Sequence, residues 1–214
     1  MKRLRILWCG LLQTGSAHIV ISAAVHNAFQ RYDMQSGIRL LHGTEFDWLA
    51  DALDLDSVKF ERDSASELLG PGRHNSGLFK AIADCTPGVL IVEGSWFVFH
   101  DLIHDIDACK IALFFGMLPG FFHVNAAGRE LRIQEWACDR VFSIEPFDPP
   151  FPAEQLNPIV LRNREEILPR EQAAARLGIH PDRPSAFIGL NVSHPNLENL
   201  TKTYSHLEDT YQSI

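Results

Sequence analysis

The first thirty residues constrain the fold of this chain more than any other stretch. A short apolar run at 4–9 is followed by Gly10, a polar loop and an amphipathic segment at 19–29. A buried strand, a glycine-bearing turn and a helix, in that order, form the opening unit of a parallel α/β sheet. Backbone N–H groups at the start of such a helix have no intrahelical partners, so this turn is a natural place for an anion or a hydroxyl group to bind.

Strand and helix candidates alternate through the next hundred residues. The sequence predicts strands at 37–42, 57–60, 89–94, 109–116 and 140–144, and helices at 46–53, 78–85, 97–106 and 129–138. The run at 89–94 is apolar and rich in β-branched residues, which is typical of a central parallel strand buried on both faces. The alternation predicts an α/β fold, a Rossmann-like open parallel sheet with helices on both faces.

The composition changes after residue 144, where prolines crowd the stretch 146–158. Proline cannot donate to a β-ladder, so we expect a loop here with one extended piece at 158–160. The sequence then predicts a charged helix at 170–178 closed by Gly178, a strand at 184–191 and a helix at 196–211. We therefore expect a Rossmann-like domain at 1–160, a linker with a short helix at 161–184, and the start or remnant of a second α/β domain at 185–214.

Composition and charge exclude several classes of protein. The 214 residues are 46% hydrophobic and 21% charged, as in ordinary globular domains. The net charge of -8 argues against a nucleic-acid backbone as the main partner. No apolar run approaches the roughly 20 residues of a membrane span, and no secretory signal is recognised, so we expect a cytoplasmic protein. The four cysteines form no CxxC pair and are expected to be buried, reduced thiols: Cys9, Cys85, Cys109 and Cys138.

Open parallel sheets bind ligands beside the carboxyl ends of their strands. Two residues predicted at that edge are candidates for catalysis, His18 and Glu93. A neutral imidazole at the first turn of a helix can accept a proton, although a packing or capping role would place His18 there equally well. A carboxylate that ends a buried strand either reaches the ligand or caps the next helix. The candidate ligand-binding residues at the same edge are Thr14, Gly15, Ser16, Gly94, Ser95, Gly116 and Glu145.

Several common site motifs are absent from the sequence. Gly10 and Gly15 are too far apart for the dinucleotide fingerprint, and the Gly-Lys-Ser/Thr ending of a phosphate loop is missing. Ser95 lacks the frame of a nucleophile elbow. His100 and His104 are four residues apart on a predicted helix, which is a spacing found in zinc sites, but no third ligand follows. We therefore expect no metal.

Five stretches in order resemble the two-domain (GT-B) glycosyltransferases, and one of them, 110–115, is similar to the family's g-i-P-v-v-l strand. The run 15–18, Gly-Ser-Ala-His, is similar to the Gly-x-Gly-His loop of that family, and 89–94 is similar to its D-L-V-I-V-D-G strand. Residues 138–147 resemble the family's a-D-x-v-l-x-x-x-p-f segment, and 157–179 its transition into the second domain. The resemblance spans roughly residues 3–189 and is nearest in character to the UDP-N-acetylglucosamine transferases of the MurG type.

This resemblance implies the acceptor-side half of a nucleotide-sugar-dependent glycosyltransferase. His18 or Glu93 would assist the acceptor hydroxyl, with Glu93 able to bind sugar hydroxyls, and Gly10, Gly15 and Ser16 would leave room for a ligand. The donor would be a substrate, and no cofactor is implied. Since the sequence ends soon after the first strand of the second domain, we expect a truncated chain, with a partner chain supplying the donor half or a homo-oligomer.

Two alternatives to a glycosyltransferase follow from the same residues. A non-catalytic binding module would keep the fold without the chemistry, because fold does not fix function. A flavodoxin-like or epimerase-like nucleotide enzyme would use the loop at 14–16 for phosphate. The aromatic residues Phe114, Phe115, Phe121 and Phe122 are expected in the core rather than along an apolar acceptor site.

Overall fold

The computed structural model describes residues 4–11, 16–34, 36–60, 63–117, 119–133, 136–144 and 147–182. Its strands are β1 (Leu4–Gly10), β2 (Ser36–His42), β3 (Asp56–Lys59), β4 (Val89–Glu93), β5 (Cys109–Phe114), β6 (His123–Ala126), β7 (Arg129–Arg132), β8 (Arg140–Ile144) and β9 (Glu154–Leu156). Its helices are α1 (Ala17–Arg31), α2 (Asp47–Ala52), α3 (Ala65–Leu68), α4 (Gly77–Cys85) and α5 (Arg170–Leu177).

Seven strands form one sheet in the order β3-β2-β1-β4-β5-β8-β9. Every neighbouring pair in this sheet is parallel. The strand β1 lies between β2 and β4, so the loops that follow these three strands meet at one edge. The predicted α/β fold with a Rossmann-like parallel sheet is confirmed.

Residues of β1 alternate between two hydrophobic cores, one on each face of the sheet. Ile6 and Trp8 belong to the core that contains residues of α1 and α2. Leu7 and Cys9 belong to the core that contains residues of α3 and α4. This period-two pattern is what a strand covered on both faces requires, and it confirms that helices lie on both faces.

The predicted helix at 97–106 is wrong. The chain forms two 3-10 turns there, at Trp96–Phe99 and Leu102–Asp105. Three large buried side chains lie three residues apart, those of Trp96, Phe99 and Leu102. In a 3-10 helix residues three apart share one face, whereas an α-helix would rotate them progressively away from the core.

The predicted helix at 129–138 is also wrong, because part of this stretch pairs as a β-hairpin. The strands β6 and β7 are antiparallel, and Ala127 (φ 50°) and Gly128 (φ 73°) form the two-residue turn between them. Two residues with positive φ match the twist of a tight hairpin. The side chain of Leu131 on this hairpin is 1% exposed and packs into the core beside α4.

We expect Leu131→Ala to reduce the free energy of unfolding by about 2–5 kcal/mol, because the truncation leaves a cavity in that core. Asn125→Ala is the matched control, since Asn125 lies exposed on the other strand of the hairpin. Its expected effect is within about 0.5 kcal/mol. Urea denaturation of the two variants measures the difference, and equal stabilities would show that the hairpin does not pack on the core.

The chain divides into two compact units, Met1–Leu161 and Arg162–Ile214. In the second unit α5 ends at Gly178 with φ 68°, as the sequence predicts. The strand β9 lies just before the extended piece predicted at 158–160, which itself forms no strand. The strand predicted at 184–191 and the helix predicted at 196–211 lie outside the described residues. The predicted division into domains stays a prediction. None of the described helices is long and apolar enough to span a membrane.

The cysteines differ in their environments, and all four are unpaired. Cys9 is fully buried in the core, and burial raises the pKa of its thiol strongly. Cys85 and Cys138 are half-buried, whereas Cys109 is exposed at the start of β5. The expectation of buried thiols therefore holds for Cys9 and is wrong for Cys109. Cys109 is the first residue of β5, and that end of the strand is exposed.

Candidate functional site

A histidine, a glutamate and a tryptophan form a buried hydrogen-bonded group at the carboxyl edge of the sheet. His18 Nδ1 lies 2.8 Å from Glu93 Oε1, and Trp8 Nε1 donates a 2.6 Å hydrogen bond to Glu93 Oε2. All three residues are at most 2% exposed. The two carboxylate oxygens of Glu93 therefore have different partners, each of which fixes the orientation of the side chain.

The strand pattern explains why these three residues meet. Trp8 in β1 faces the α1 side of the sheet. Glu93 at the end of β4 lies two residues after Ile91, which packs on that side, so both side chains belong to the same face. The strands β1 and β4 are direct neighbours. His18 lies in the first turn of α1, which follows β1 after a short loop. The parallel sheet thus brings side chains that are 75 and 85 residues apart into direct contact.

Gly10 makes room for the His18 side chain. A Cβ atom at position 10 would lie 2.5 Å from His18 Cβ and 2.8 Å from His18 Cγ, which is closer than side-chain atoms can approach. The expectation that Gly10 leaves room for a ligand is therefore wrong, because the histidine occupies that space. A residue with any side chain at position 10 would displace His18 from Glu93.

The pairing with Glu93 has a chemical consequence for His18. A carboxylate accepts hydrogen bonds, so a neutral imidazole that binds it through Nδ1 carries its hydrogen on Nδ1. The second nitrogen, Nε2, then has a free lone pair and can accept a proton. No other described residue hydrogen-bonds to Nε2 of His18. The arrangement is suited to a general base that a buried carboxylate orients.

Glu93 is not placed to bind a sugar hydroxyl itself. Its side chain is fully buried, and both of its oxygens are engaged by Trp8 and His18. The expectation of direct contact with sugar hydroxyls is wrong for this geometry. Nor does the carboxylate cap the following 3-10 turn, whose N-cap residue, Ser95, donates its N–H to the backbone carbonyl of Glu93.

The other predicted site residues are placed as follows. Ser16 precedes α1, and its side chain does not cap that helix. Gly94 turns the chain after β4 with φ 67°, and Ser95 beside it is buried. Gly116 is exposed after β5 and has φ 49°. Thr14, Gly15 and Glu145 lie outside the described residues. The described members thus follow β1, β4 and β5, which are neighbours in the sheet.

His42 at the end of β2 belongs to the same edge and is missing from the predicted site. It pairs in register with Gly10, is 1% exposed, and its Nε2 lies 3.7 Å from Asp47 Oδ1. Burial lowers the pKa of His42. The Asp47 carboxylate and a hydrogen bond with the Thr44 backbone oppose this shift, whereas Lys59 and His18 add to it. The sequence could have indicated this residue, because His42 is the last residue of the strand predicted at 37–42.

The lowered pKa of His42 predicts a pH-dependent stability. Below about pH 6.5 the unfolded chain binds a proton on this residue that the folded chain resists, so folding is disfavoured as pH falls. We expect the stability of the wild type relative to His42→Phe to fall with decreasing pH, by at most about 1.4 kcal/mol per pH unit. Urea denaturation at several pH values measures this difference, and a difference that is independent of pH would contradict the prediction.

The two histidines that have zinc-like spacing do not share a helix face. His100 follows the first 3-10 turn and binds Asp101 Oδ1 through Nδ1 at 2.9 Å, whereas His104 is exposed in the second turn. Burial raises the pKa of Asp101, but hydrogen bonds from Arg129 and His100 outweigh it and hold that pKa below its usual value. Among the described residues no group of three His, Cys, Asp or Glu side chains could hold a metal ion.

The aromatic residues at the end of β5 and after it lie mainly in the core, as expected. Phe114 and Phe122 are at most 5% exposed, and their ring centroids are 5.8 Å apart. Phe151 packs edge-on against both rings. Phe121 differs, because 37% of it is exposed.

A cavity of about 630 Å³ lies at the opposite edge of the sheet, beside the amino ends of β1 and β4. Leu4, Arg5, Ile82 and Ile106 are among its lining residues. None of the lining residues belongs to the His18 group. Because parallel sheets bind ligands at the carboxyl edge, the cavity is separate from the candidate site.

The fold is similar to that of solved glycosyltransferases. The spinosyn forosaminyltransferase SpnP aligns with a TM-score of 0.57 and 13% identity, over 97% of this chain and 63% of its own. The spinosyn rhamnosyltransferase SpnG, solved with spinosyn aglycone, aligns with a TM-score of 0.41 and 12% identity, over 65% of this chain and 44% of its own. The calicheamicin glycosyltransferase CalG4 aligns with a TM-score of 0.38 and 16% identity, over 55% of this chain and 34% of its own.

These likenesses concern the fold, since all the identities are low. The alignment with SpnP supports a GT-B type of α/β fold. The chain spans less than two thirds of the length of each of these three enzymes. No protein-family model and no curated protein sequence matches the chain.

Proposed function

We propose that this chain supplies the acceptor side of a nucleotide-sugar-dependent glycosyltransferase. The observation that carries the proposal is the contact of His18 Nδ1 with Glu93 Oε1 at 2.8 Å, at the carboxyl edge of a parallel sheet. The GT-B type of fold is consistent with it. The proposed substrates are a hydroxyl-bearing acceptor at this edge and a nucleotide sugar as donor.

In the proposed reaction His18 is the general base. Its Nε2 takes the proton of the acceptor hydroxyl while the hydroxyl oxygen attacks the anomeric carbon of the donor sugar. The bond from that carbon to the nucleotide diphosphate breaks, and the diphosphate leaves with the bonding electrons. Glu93 holds the ring through Nδ1 and stabilises the imidazolium that forms, and Trp8 holds Glu93.

The finer parts of the proposal concern the donor and the type of enzyme. We place the donor nucleotide mainly on a second α/β domain, in the same protein or in a partner chain. Ser16, Gly94, Ser95 and Gly116 then contribute to the acceptor side, together with Thr14, Gly15 and Glu145. A MurG-type enzyme, which transfers N-acetylglucosamine from UDP, is the specific form that the sequence resemblance favours.

The test is a transfer assay with the full chain. UDP-, GDP- and dTDP-sugars are incubated with a panel of hydroxyl-bearing acceptors, and product mass and nucleotide release are measured. Calorimetry with UDP, GDP and dTDP runs beside it. Transfer supports the proposal, whereas acceptor binding without transfer under any donor, even when a donor-binding domain is supplied beside the chain, indicates a binding module.

We expect Glu93→Gln to reduce the transfer rate by a factor on the order of 100 or more, because the amide no longer stabilises the imidazolium. Glu165→Gln is the matched control, since Glu165 is exposed in the second unit. Its transfer rate is expected to equal that of the wild type. An unchanged rate in Glu93→Gln would remove the carboxylate from the mechanism.

A further inference from the structure

A turn at the amino edge of the sheet exposes two large apolar side chains. The turn joins α1 to β2 and contains Tyr32, Asp33 and Met34. Tyr32 is 78% exposed and Met34 is 47% exposed. Backbone hydrogen bonds hold both residues in place, since the N–H of Tyr32 donates to the Ala28 carbonyl and the N–H of Met34 to the Phe29 carbonyl. The turn 32–34 is therefore a fixed apolar projection.

The cavity of about 630 Å³ lies at the same edge of the sheet. Its lining includes Leu4, the first residue of β1, and Gly88, which directly precedes β4. Leu4 pairs in register with Ser36, which follows Met34 by two residues. Neighbouring strands are about 4.8 Å apart, so the turn 32–34 and the cavity lie close together along this edge. Because its side chains are exposed, the turn does not fill the cavity of its own chain.

The lining of the cavity matches the chemistry of the turn 32–34. Most of the lining side chains are apolar: Leu4, Phe79, Ile82, Ala83, Pro87 and Ile106. Arg5 also lines the cavity, and none of the described residues forms an ion pair or a hydrogen bond with its guanidinium. The carboxylate of Asp33 has no such partner in the described part of the chain either. An apolar projection with one unpaired carboxylate thus fits an apolar cavity with one unpaired guanidinium.

Two carboxylates line the cavity as well, and neither neutralises Arg5. Asp105 is already paired, because Arg73 Nε donates to its Oδ2 at 2.5 Å and His74 Nε2 lies 3.3 Å from the same oxygen. Asp107 is exposed and precedes β5, which is separated from β1 by β4. Two strand spacings, about 10 Å, therefore separate Asp107 from Arg5 along the edge. Physiological salt largely screens exposed charges at that distance, so Arg5 still attracts a carboxylate.

We propose that the occupant of the cavity is the turn 32–34 of a second copy of this chain, in a symmetric dimer. Every copy carries both the turn and the cavity, so one two-fold axis between them fills both cavities at once. Tyr32 and Met34 of each copy pack into the cavity of the other, and Asp33 of each copy pairs with Arg5 of the other. The amino edges face each other, so both carboxyl edges with His18 stay accessible. This inference is independent of the proposed function.

The first test is the mass of the full chain in solution. Sedimentation equilibrium over a wide range of protein concentration should show the 24.1 kDa monomer in exchange with a particle of twice that mass. A chain that stays monomeric at every concentration would overturn the inference. A mass that keeps rising beyond the dimer would overturn it too, because a two-fold contact closes after two copies.

Charge reversal tests the ionic contact. Arg5→Glu and Asp33→Lys each bring like charges together at both contacts of the dimer, so each variant alone should dimerise roughly 10-fold more weakly or worse. An equimolar mixture of the two variants should form a heterodimer with nearly the affinity of the wild type, because both contacts then join opposite charges. Arg176→Glu is the matched control, since Arg176 is exposed in the second unit, and it should dimerise as the wild type does. A mixture that binds no more tightly than either variant alone would overturn the pairing of Arg5 with Asp33.

Truncation of the turn tests the apolar contact. Tyr32→Ala should weaken dimerisation by roughly 30-fold or more, because a large aromatic contact is lost twice in each dimer. Trp48→Ala is the matched control, since Trp48 is also well exposed but lies near the start of α2, at the carboxyl edge. Its dimerisation should not change, and circular dichroism shows whether each variant is folded. A folded Tyr32→Ala protein that dimerises as tightly as the wild type would show that another surface holds the dimer and would overturn the inference.

Discussion

Replacing His18 with alanine is expected to reduce glycosyl transfer by roughly 100- to 10,000-fold, the contribution of a positioned general base. The acceptor hydroxyl would have no group to take its proton as its oxygen attacks the donor. Binding of the acceptor should weaken far less, because the surrounding loops remain. The expected signature is therefore a lower kcat with a nearly unchanged KM.

The matched control for this variant is His26→Ala. His26 lies on the same helix, two turns beyond His18, and is only half-buried. Its rate should equal that of the wild type. Urea denaturation of both variants separates a catalytic loss from unfolding, since His18→Ala also removes a hydrogen bond from buried Glu93. A His18→Ala protein that is folded and fully active would contradict the assignment of the base.

Gly10→Ala is expected to have the second largest effect. The added methyl would lie 2.5 Å from His18 Cβ, so either β1 or the start of α1 must move. Overpacking of this kind costs about 1–3 kcal/mol, which lowers Tm by roughly 2 to 12 °C for a chain of this size. Because the movement displaces His18 from Glu93, transfer should also be lost in the molecules that stay folded.

The control for Gly10→Ala is Gly72→Ala. A Cβ at Gly72 meets no atom within 4 Å, and its φ of -84° suits alanine. We expect its stability to stay within about 0.5 kcal/mol of the wild type. Thermal unfolding followed by circular dichroism compares the two variants. A Gly10→Ala protein as stable as Gly72→Ala would show that His18 does not pack against β1 as described.

The parallel sheet could be predicted from the sequence because its strands are apolar on both faces. The run at 89–94 became β4, with only its end shifted to Glu93. The two helix predictions at 97–106 and 129–138 are wrong for a different reason. At 96–106 the large side chains follow a period of three, and at 123–132 a two-residue turn with positive φ converts the segment into a hairpin. An apolar run does not by itself distinguish these local structures from an α-helix.

The site could be predicted residue by residue but not as a group. His18 and Glu93 were candidates because each follows a strand at the carboxyl edge. Their contact depends on β1 and β4 being neighbours, and the order of strands in a sheet is not written in the spacing of one sequence. Trp8 was read as core and is also a hydrogen-bond donor to Glu93. Side chains separated by long stretches of chain meet only through the tertiary fold.

The measurement that tests the central claim most directly is the tautomer of His18 in the full chain. Long-range ¹⁵N–¹H correlation spectra distinguish a neutral ring with its hydrogen on Nδ1 from one with its hydrogen on Nε2. The contact with Glu93 predicts the Nδ1–H form, which leaves Nε2 free to accept the acceptor proton. A neutral His18 with its hydrogen on Nε2 would contradict the account, because Glu93 would then not orient a base.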